Sequence, residues 1–347
     1  MPEILQLTIV AMLIGAYLYW GIKTLPHERW QFLAAVPVVK KEGGEWMGTN
    51  LTWYGLLTAN AYAAALAILV FLMGCLSIPL AGTTLLAAAM LVVCVPASRL
   101  VARIVEKKAH TFTVGGAVFV GIIIAPWIVL ALNSAPLGFR VPPAAALAGF
   151  AIAYAFGEGL GRLACVSFGC CYGKPVADAG PWIQKTFAER SFVFSGKTKK
   201  IAYADGLDGE RVLPVQAITA IIHALCGLVS VILFLSGSFV WAFLVTMAVT
   251  QGWRVFSETL RADYRGKGKI SAYQVMGLMG ILYGGAAALL APAVPLHRPD
   301  MAAGNAALWH PGAILFIQAI WLVIFFYTGR STVTGADLSF HVRRERI

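Results

Sequence analysis

The chain has 347 residues, 59% of them hydrophobic and only 12% charged, with a mean hydropathy of +0.76. This excludes a soluble domain and marks an integral membrane protein, with the membrane rather than nucleic acid as its expected partner. Lys and Arg number 27 against 16 Asp and Glu, and the excess is confined to a few segments between apolar runs.

Trp46–Ser98 has no charged residue over 53 positions, room for two spans of roughly 20 residues. Thr111–Phe139, Val212–Trp253, Ile270–His297 and Met301–Gly329 are similar runs. Backbone polar groups must be satisfied internally in lipid, so the spans are helices or a closed barrel. The hydrophobicity is continuous, not alternating, and that selects helices. Nine spans are predicted, at 4–22, 53–76, 82–101, 112–133, 143–165, 213–235, 240–260, 273–293 and 309–328. The first lacks a basic leading region and an A-x-A-type cleavage site, so it reads as an anchor. The fold class is therefore an all-α polytopic membrane protein of about nine transmembrane helices. Its only long polar segment, Lys174–Arg211, is expected to form a cap whose lysines, Lys197, Lys199 and Lys200, are solvated.

The basic residues are lopsided. Segments 23–52, 99–111, 166–212 and 254–272 and the C-terminal tail hold 24 of the 27 and group on one side of nine spans. The opposite side holds Arg140 and Arg298, and Arg162 falls inside a span. The positive-inside rule places the 24, and the C-terminus, in the cytoplasm.

Span 143–165 runs into Gly157–Pro175, GEGLGRLACVSFGCCYGKP. An arginine at membrane depth is costly and is a functional-site hypothesis by default. Glu158 precedes Arg162 by four residues, a spacing that favours an ion pair on one helix. Gly157, Gly159 and Gly161 interleave with them and let a ligand or another helix approach. Arg254, Glu258 and Arg261 are spaced to share a second helix face, and arginine forks suit phosphate oxygens. The plainer reading of that face is an interfacial basic cluster meeting lipid headgroups. Cys165, Cys170 and Cys171 lie within seven residues. Tight-turn packing is the leading reading of them; a thiolate nucleophile beside Arg162 and a redox pair are the others. C-x4-C-C is not a zinc-ribbon spacing and has no neighbouring histidine, so no metal is expected. Cys75, Cys94 and Cys226 sit singly in apolar spans as small core residues.

Several segments resemble, in order, the motifs of the prolipoprotein diacylglyceryl transferase family. They are Trp53-Tyr54-Gly55-Leu56; the glycine turn at Gly115, Gly116 and Gly121; and a signature on Gly161, Arg162, Ala164, Cys165, Gly169, Cys170 and Gly173. Pro214 with Gln216, then Arg254, Glu258 and Arg261, then Gln274 complete the set. The ending Gly169–Gly173, GCCYG, is similar to that of cysteine-bearing divergent members. The likeness covers 53–293 and implies a seven-helix transferase-like core, with one extra helix at each end. It divides the chain into an anchor and basic loop at 1–52, the core at 53–293 with cap 174–211, and a helix and tail at 294–347.

The resemblance implies a bacterial inner-membrane enzyme. It would move a diacylglyceryl group from phosphatidylglycerol, or a similar anionic phospholipid, to a thiol, that of a lipobox prolipoprotein in the family, and release glycerol phosphate. Arg162 and Arg254 would bind the phosphate and Glu258 would hold the arginines. Tyr54 and Gln216 would orient glyceryl oxygens. Gly115, Gly116, Gly161, Gly173 and Arg261 would complete the substrate site, with Cys165, Cys170 and Cys171 as a candidate thiol site and no cofactor. The chain departs from the family at Val114, where a histidine base is expected, with His110 four residues earlier as its substitute. It departs again at Cys165 and Cys170, which replace an asparagine and a glutamate, at Thr250, which replaces a tyrosine, and at Ala148, whose acidic role Glu158 would take. The family's loop after the signature faces outward, whereas here it carries seven basic residues. The alternatives are therefore an altered or topologically inverted relative that binds anionic phospholipid without modifying lipoproteins, and a small-anion transporter.

Overall fold

The computed structural model describes residues 2–29, 31–107, 113–134, 137–263, 270–292, 298–331, 339–343 and 345. The helices are α1 (Pro2–Thr24), α2 (Trp53–Gly74), α3 (Leu80–Val105), α4 (Val114–Asn133), α5 (Pro143–Phe168), α6 (Pro181–Phe187), α7 (Lys200–Asp205), α8 (Val215–Leu235), α9 (Phe239–Ser257), α10 (Ala272–Leu289), α11 (Met301–Leu308) and α12 (Pro311–Thr328). Among the described residues nine are long and apolar enough to cross a membrane, matching the predicted spans in number and order. The extra short helices α6, α7 and α11 lie outside those spans.

Helix α5 is the hub. It packs against α2 on one side and α8 and α9 on the other, and most of its residues are buried. Small residues make this close approach possible. A Cβ on Gly157 would sit 3.2 Å from Ala65 of α2, and one on Gly159 3.1 Å from a carbonyl of α8. Close helix approach, rather than hydrophobic exclusion, is what holds helices together in lipid.

Segment 23–52 is more than a basic loop. β1 (Phe32–Lys40) and β2 (Trp46–Thr52) form an antiparallel hairpin, and β5 (Ser339–Phe340) adds to its edge. β-branched Val36, Val38 and Val39, followed by Gly43 and Gly44 at positive φ in the turn, are the local cause. β3 (Phe192–Val193) and β4 (Arg211–Val212) pair within the cap.

The described parts of the basic segments gather at one end of the bundle. β2 joins the N-terminal hairpin to the tail. Ser195 of the cap donates its N–H to Pro26, Lys174 donates its N–H to Leu260, and Tyr273 donates to Glu106. Arg254, reckoned with a loop from sequence, lies inside α9.

Lys199 corrects the view of the cap lysines as solvated. It is fully buried, and its Nζ donates to the carbonyls of Leu25 (3.0 Å) and Ser167 (2.7 Å). Those carbonyls close the ends of α1 and α5, where a cation is favoured. Lys199→Met is expected to loosen the cap, because it removes two hydrogen bonds from a charged donor, worth about 1.5–3 kcal/mol each, although Gln31 and the Glu28 N–H still donate to the same two carbonyls. Limited trypsinolysis in detergent reads this out: faster cutting at Lys185 and Arg190 than in the wild type is expected, and an unchanged rate would show that Lys199 does not pin the cap.

Candidate active site

The last turns of α5 place Tyr154, Glu158 and Arg162 on one face, one turn apart. Glu158 Oε1 accepts from Arg162 Nη2, as the spacing predicts. The same oxygen lies 3.4 Å from Nη2 of Arg254, which arrives from α9 and also donates to the Tyr154 hydroxyl at 2.9 Å. One carboxylate is thus shared by two buried guanidiniums, leaving one positive charge over. Nε of Arg162 and Nε of Arg254 are both buried without a hydrogen-bond partner. The site has donors and charge to spare, which an anion would satisfy.

The first turn of α4 opens beside this pair. A Cβ on Gly115 would lie 2.9 Å from Arg254 Nη1 and 2.7 Å from the Tyr273 ring, so the bare glycine makes room for the guanidinium. Thr113, the residue before α4, is buried with its hydroxyl unpartnered. A helix N-terminus favours an anion, and here Arg254 stands next to it.

These groups line one end of a cavity of about 390 Å³. At the other end the lining is apolar: Leu66, Leu69, Ile122, Ala151, Phe243 and Met247, from α2, α4, α5 and α9. The cavity is therefore amphipathic along its length, with its polar end toward the basic face of the bundle.

Arg261 reaches the polar end by another route. The shared helix face expected for Arg254, Glu258 and Arg261 does not form, because α9 ends at Ser257, a 3-10 turn covers Glu258–Leu260, and Arg261 is extended. Asp263 takes Arg261 in a two-pronged contact of 2.7 Å each, and Glu258 lies 3.6 Å away. Glu258 thus steadies Arg261, while the carboxylate that holds Arg254 is Glu158. Burial opposes the charge of Arg261, but Asp263, then Cys171 and Glu258, outweigh it and hold its pKa well above the ordinary value.

Gly173 bridges Arg261 in a short antiparallel contact. A Cβ there would fall 2.5 Å from the Leu213 carbonyl, so only glycine fits. It positions Arg261 and does not line the cavity. Gly116 packs on Val101 of α3, and Gln216 donates to the Cys170 carbonyl at 2.8 Å; neither lines the cavity. Tyr54, Gly115, Gly161, Arg162, Arg254, Arg261 and the three cysteines do. Val114 also lines it, and His110 lies outside the described residues.

The three cysteines sit where α5 ends. Gly169 is left-handed (φ +67°), the Cys170 N–H bonds the Cys165 carbonyl, and the Gly169 N–H bonds that of Val166. This is the Schellman arrangement, which folds the residue after the glycine back onto the last turn. Cys171 lies beyond it, also left-handed at φ +58°. Contacts with Cys165 and Cys171 push the Cys170 thiol well up, and burial adds to this. Cys171 goes well down, because the neighbouring Cys165 and Cys170 thiols, and then Arg261 and Arg162, favour its thiolate and together outweigh burial.

A sequence profile of prolipoprotein diacylglyceryl transferase matches residues 45–290. The chain belongs to that family. The matched region contains seven of the nine apolar helices, α2–α5 and α8–α10, and leaves α1 and α12 outside as additions. Family membership places this transferase among the membrane proteins of lipoprotein biosynthesis, whose substrates are a lipid and a prolipoprotein. No curated protein matches the chain closely enough to count as a relative.

Sequence reasoning missed Tyr154, Thr113 and the role of Asp263. Tyr154 was open to discovery, since it lies four residues before Glu158 on the same face. Thr113 and Asp263 carry no such signal.

Proposed function

We propose that this transferase takes the diacylglyceryl group of an anionic phospholipid and passes it to a thiol. The observation that carries the reading is the Glu158-bridged pair Arg162–Arg254, with unspent donors, at the polar end of an otherwise apolar cavity. Acyl chains suit the apolar end. The phosphate suits the arginines, Thr113 and the N-terminus of α4.

Negative charge grows on the phosphate as the glyceryl carbon–oxygen bond breaks. Fixed cations in a water-poor site stabilise that charge without reorganising. Tyr54 lines the cavity near the cysteines and would orient the glyceryl part. Arg261, steadied by Asp263 and Glu258, lines the same polar end and would meet the leaving glycerol phosphate. Phosphatidylglycerol is the donor of choice because it is anionic and leaves as glycerol phosphate. The test is incubation of purified protein with headgroup-labelled phosphatidylglycerol and a cysteine peptide. Water-soluble glycerol phosphate is expected, and much less from a zwitterionic lipid. Retention of lipid with no headgroup release would instead leave a phospholipid-binding protein.

The polar end and cap are assigned to the cytoplasm of a bacterial inner membrane. The warrant is the gathering of the basic segments at one end, which the positive-inside rule orients inward. Lys197→Cys tests it, because Lys197 is exposed whereas the native cysteines are buried or half-buried. An impermeant maleimide is expected to label the variant above the wild-type background only after permeabilisation. Strong labelling of intact cells would contradict the assignment.

A further inference from the structure

The Sγ atoms of Cys165, Cys170 and Cys171 all lie within 4.8 Å of one another, in the wall of the cavity. Spacing in sequence argues against a metal, because C-x4-C-C is no ribbon. The fold removes that objection. The Schellman turn normally brings an apolar residue after the glycine onto one in the last helical turn. Here both residues are cysteines, Cys170 and Cys165.

Packing alone accounts for that pair but not for Cys171. A non-glycine residue at positive φ costs about 1 kcal/mol or more. Cys171 is held there all the same, and the result is a third sulfur at the same point. Gln216 fixes the turn from behind through the Cys170 carbonyl. A disulfide would use two of the three sulfurs and leave one. A thiophilic cation uses all three. Zinc at about 2.3 Å from each sulfur sets them about 3.8–4.0 Å apart in tetrahedral or trigonal geometry, a small closure from what is seen.

We propose that Cys165, Cys170 and Cys171 form a three-thiolate site for a soft divalent cation such as zinc, with its fourth position open to the cavity for the acceptor thiol. The open position follows from the donor set: among the described residues no other His, Cys, Asp or Glu joins the cluster. Three protein ligands with one free site is the arrangement of zinc centres that act on a bound group. Zinc strips the proton from a coordinating thiol, and thiolates select it.

The role for the acceptor rests on the proposed transfer; the metal site does not. An acceptor R–SH binds the cation and gives its proton to solvent. Its sulfur then forms a bond to the glyceryl carbon, the carbon–oxygen bond breaks, and the electron pair leaves with glycerol phosphate on the arginine pair. The cation would thereby supply the activation that Val114 cannot.

Purified full-length protein is tested with zinc and with cobalt. One equivalent of zinc per chain is expected, together with a sulfur-to-cobalt charge-transfer band that shifts when a cysteine peptide is added. The triple Cys→Ser variant is expected to lose both. Should that variant not fold, the wild type still decides, because zinc should shield three thiols from alkylation and a chelator should expose them. Substoichiometric zinc, equal binding by the serine variant, or alkylation indifferent to zinc would each overturn the site. So would oxidation of the reduced protein by dissolved oxygen to a stable Cys–Cys disulfide that zinc does not prevent. A cobalt band that ignores the peptide would overturn the acceptor role alone. Headgroup release with no metal bound would sink the acceptor role and leave the transferase reading standing; bound metal without headgroup release would leave the metal site standing and sink the transferase reading.

Discussion

Replacing Arg162 or Arg254 with alanine is expected to lower turnover by about a hundredfold or more while leaving the protein folded. Loss of one charge-assisted donor to a developing oxyanion costs roughly 3 kcal/mol, which is that factor in rate. Folding survives because Glu158 keeps the other arginine as its partner in either variant. Lysine is expected to rescue poorly, since a point charge that replaces Nη2 on Glu158 leaves no planar fork of further donors for a phosphate. Initial rates of headgroup release, measured beside thermal unfolding in the same detergent, check both halves. Near-normal rates in either alanine variant would remove the phosphate role.

Glu158→Ala is expected to do the opposite and unfold the site. Its carboxylate is the only one paired with Arg162 and Arg254 among the described residues, and all three are buried. Without it two guanidiniums face each other in a low-dielectric interior. Breaking a buried pair by removing one partner costs about 3–5 kcal/mol. The expected result is low yield in membranes and a clearly lowered unfolding temperature. Glu158→Gln keeps the shape and loses the charge, so it should be nearly as unstable. A stable glutamine variant would show that the arginines are compensated elsewhere.

The nine helices were legible because lipid imposes one rule on every span: continuous apolar character over about 20 residues. The Glu158–Arg162 pair was legible because four residues on one helix is a fixed distance. Its extension to Arg254 was not, since the two helices meet across 96 residues of chain and nothing local encodes the crossing. The helical spacing of Arg254, Glu258 and Arg261 misled because α9 stops at Ser257, and periodicity has no meaning past a helix end. Gln216 and Gly173 were tied to substrate by motif position, yet both act on backbone, one on the cysteine turn and one beneath Arg261. Ribbon spacing is a poor guide to the cysteines, because a left-handed Gly169 decides how far apart they stand. Lys199 reads like its more exposed neighbours because a single buried lysine leaves no mark on composition.

The central claim is that the arginine-lined cavity carries out transfer of a diacylglyceryl group to sulfur. Mass spectrometry of a cysteine peptide after incubation with the wild-type protein and phosphatidylglycerol tests it most directly. The account predicts a peptide heavier by one diacylglyceryl group in thioether linkage, in equal amount to the glycerol phosphate released, and absent with Arg254→Ala. An unmodified peptide beside intact, protein-bound lipid would contradict it.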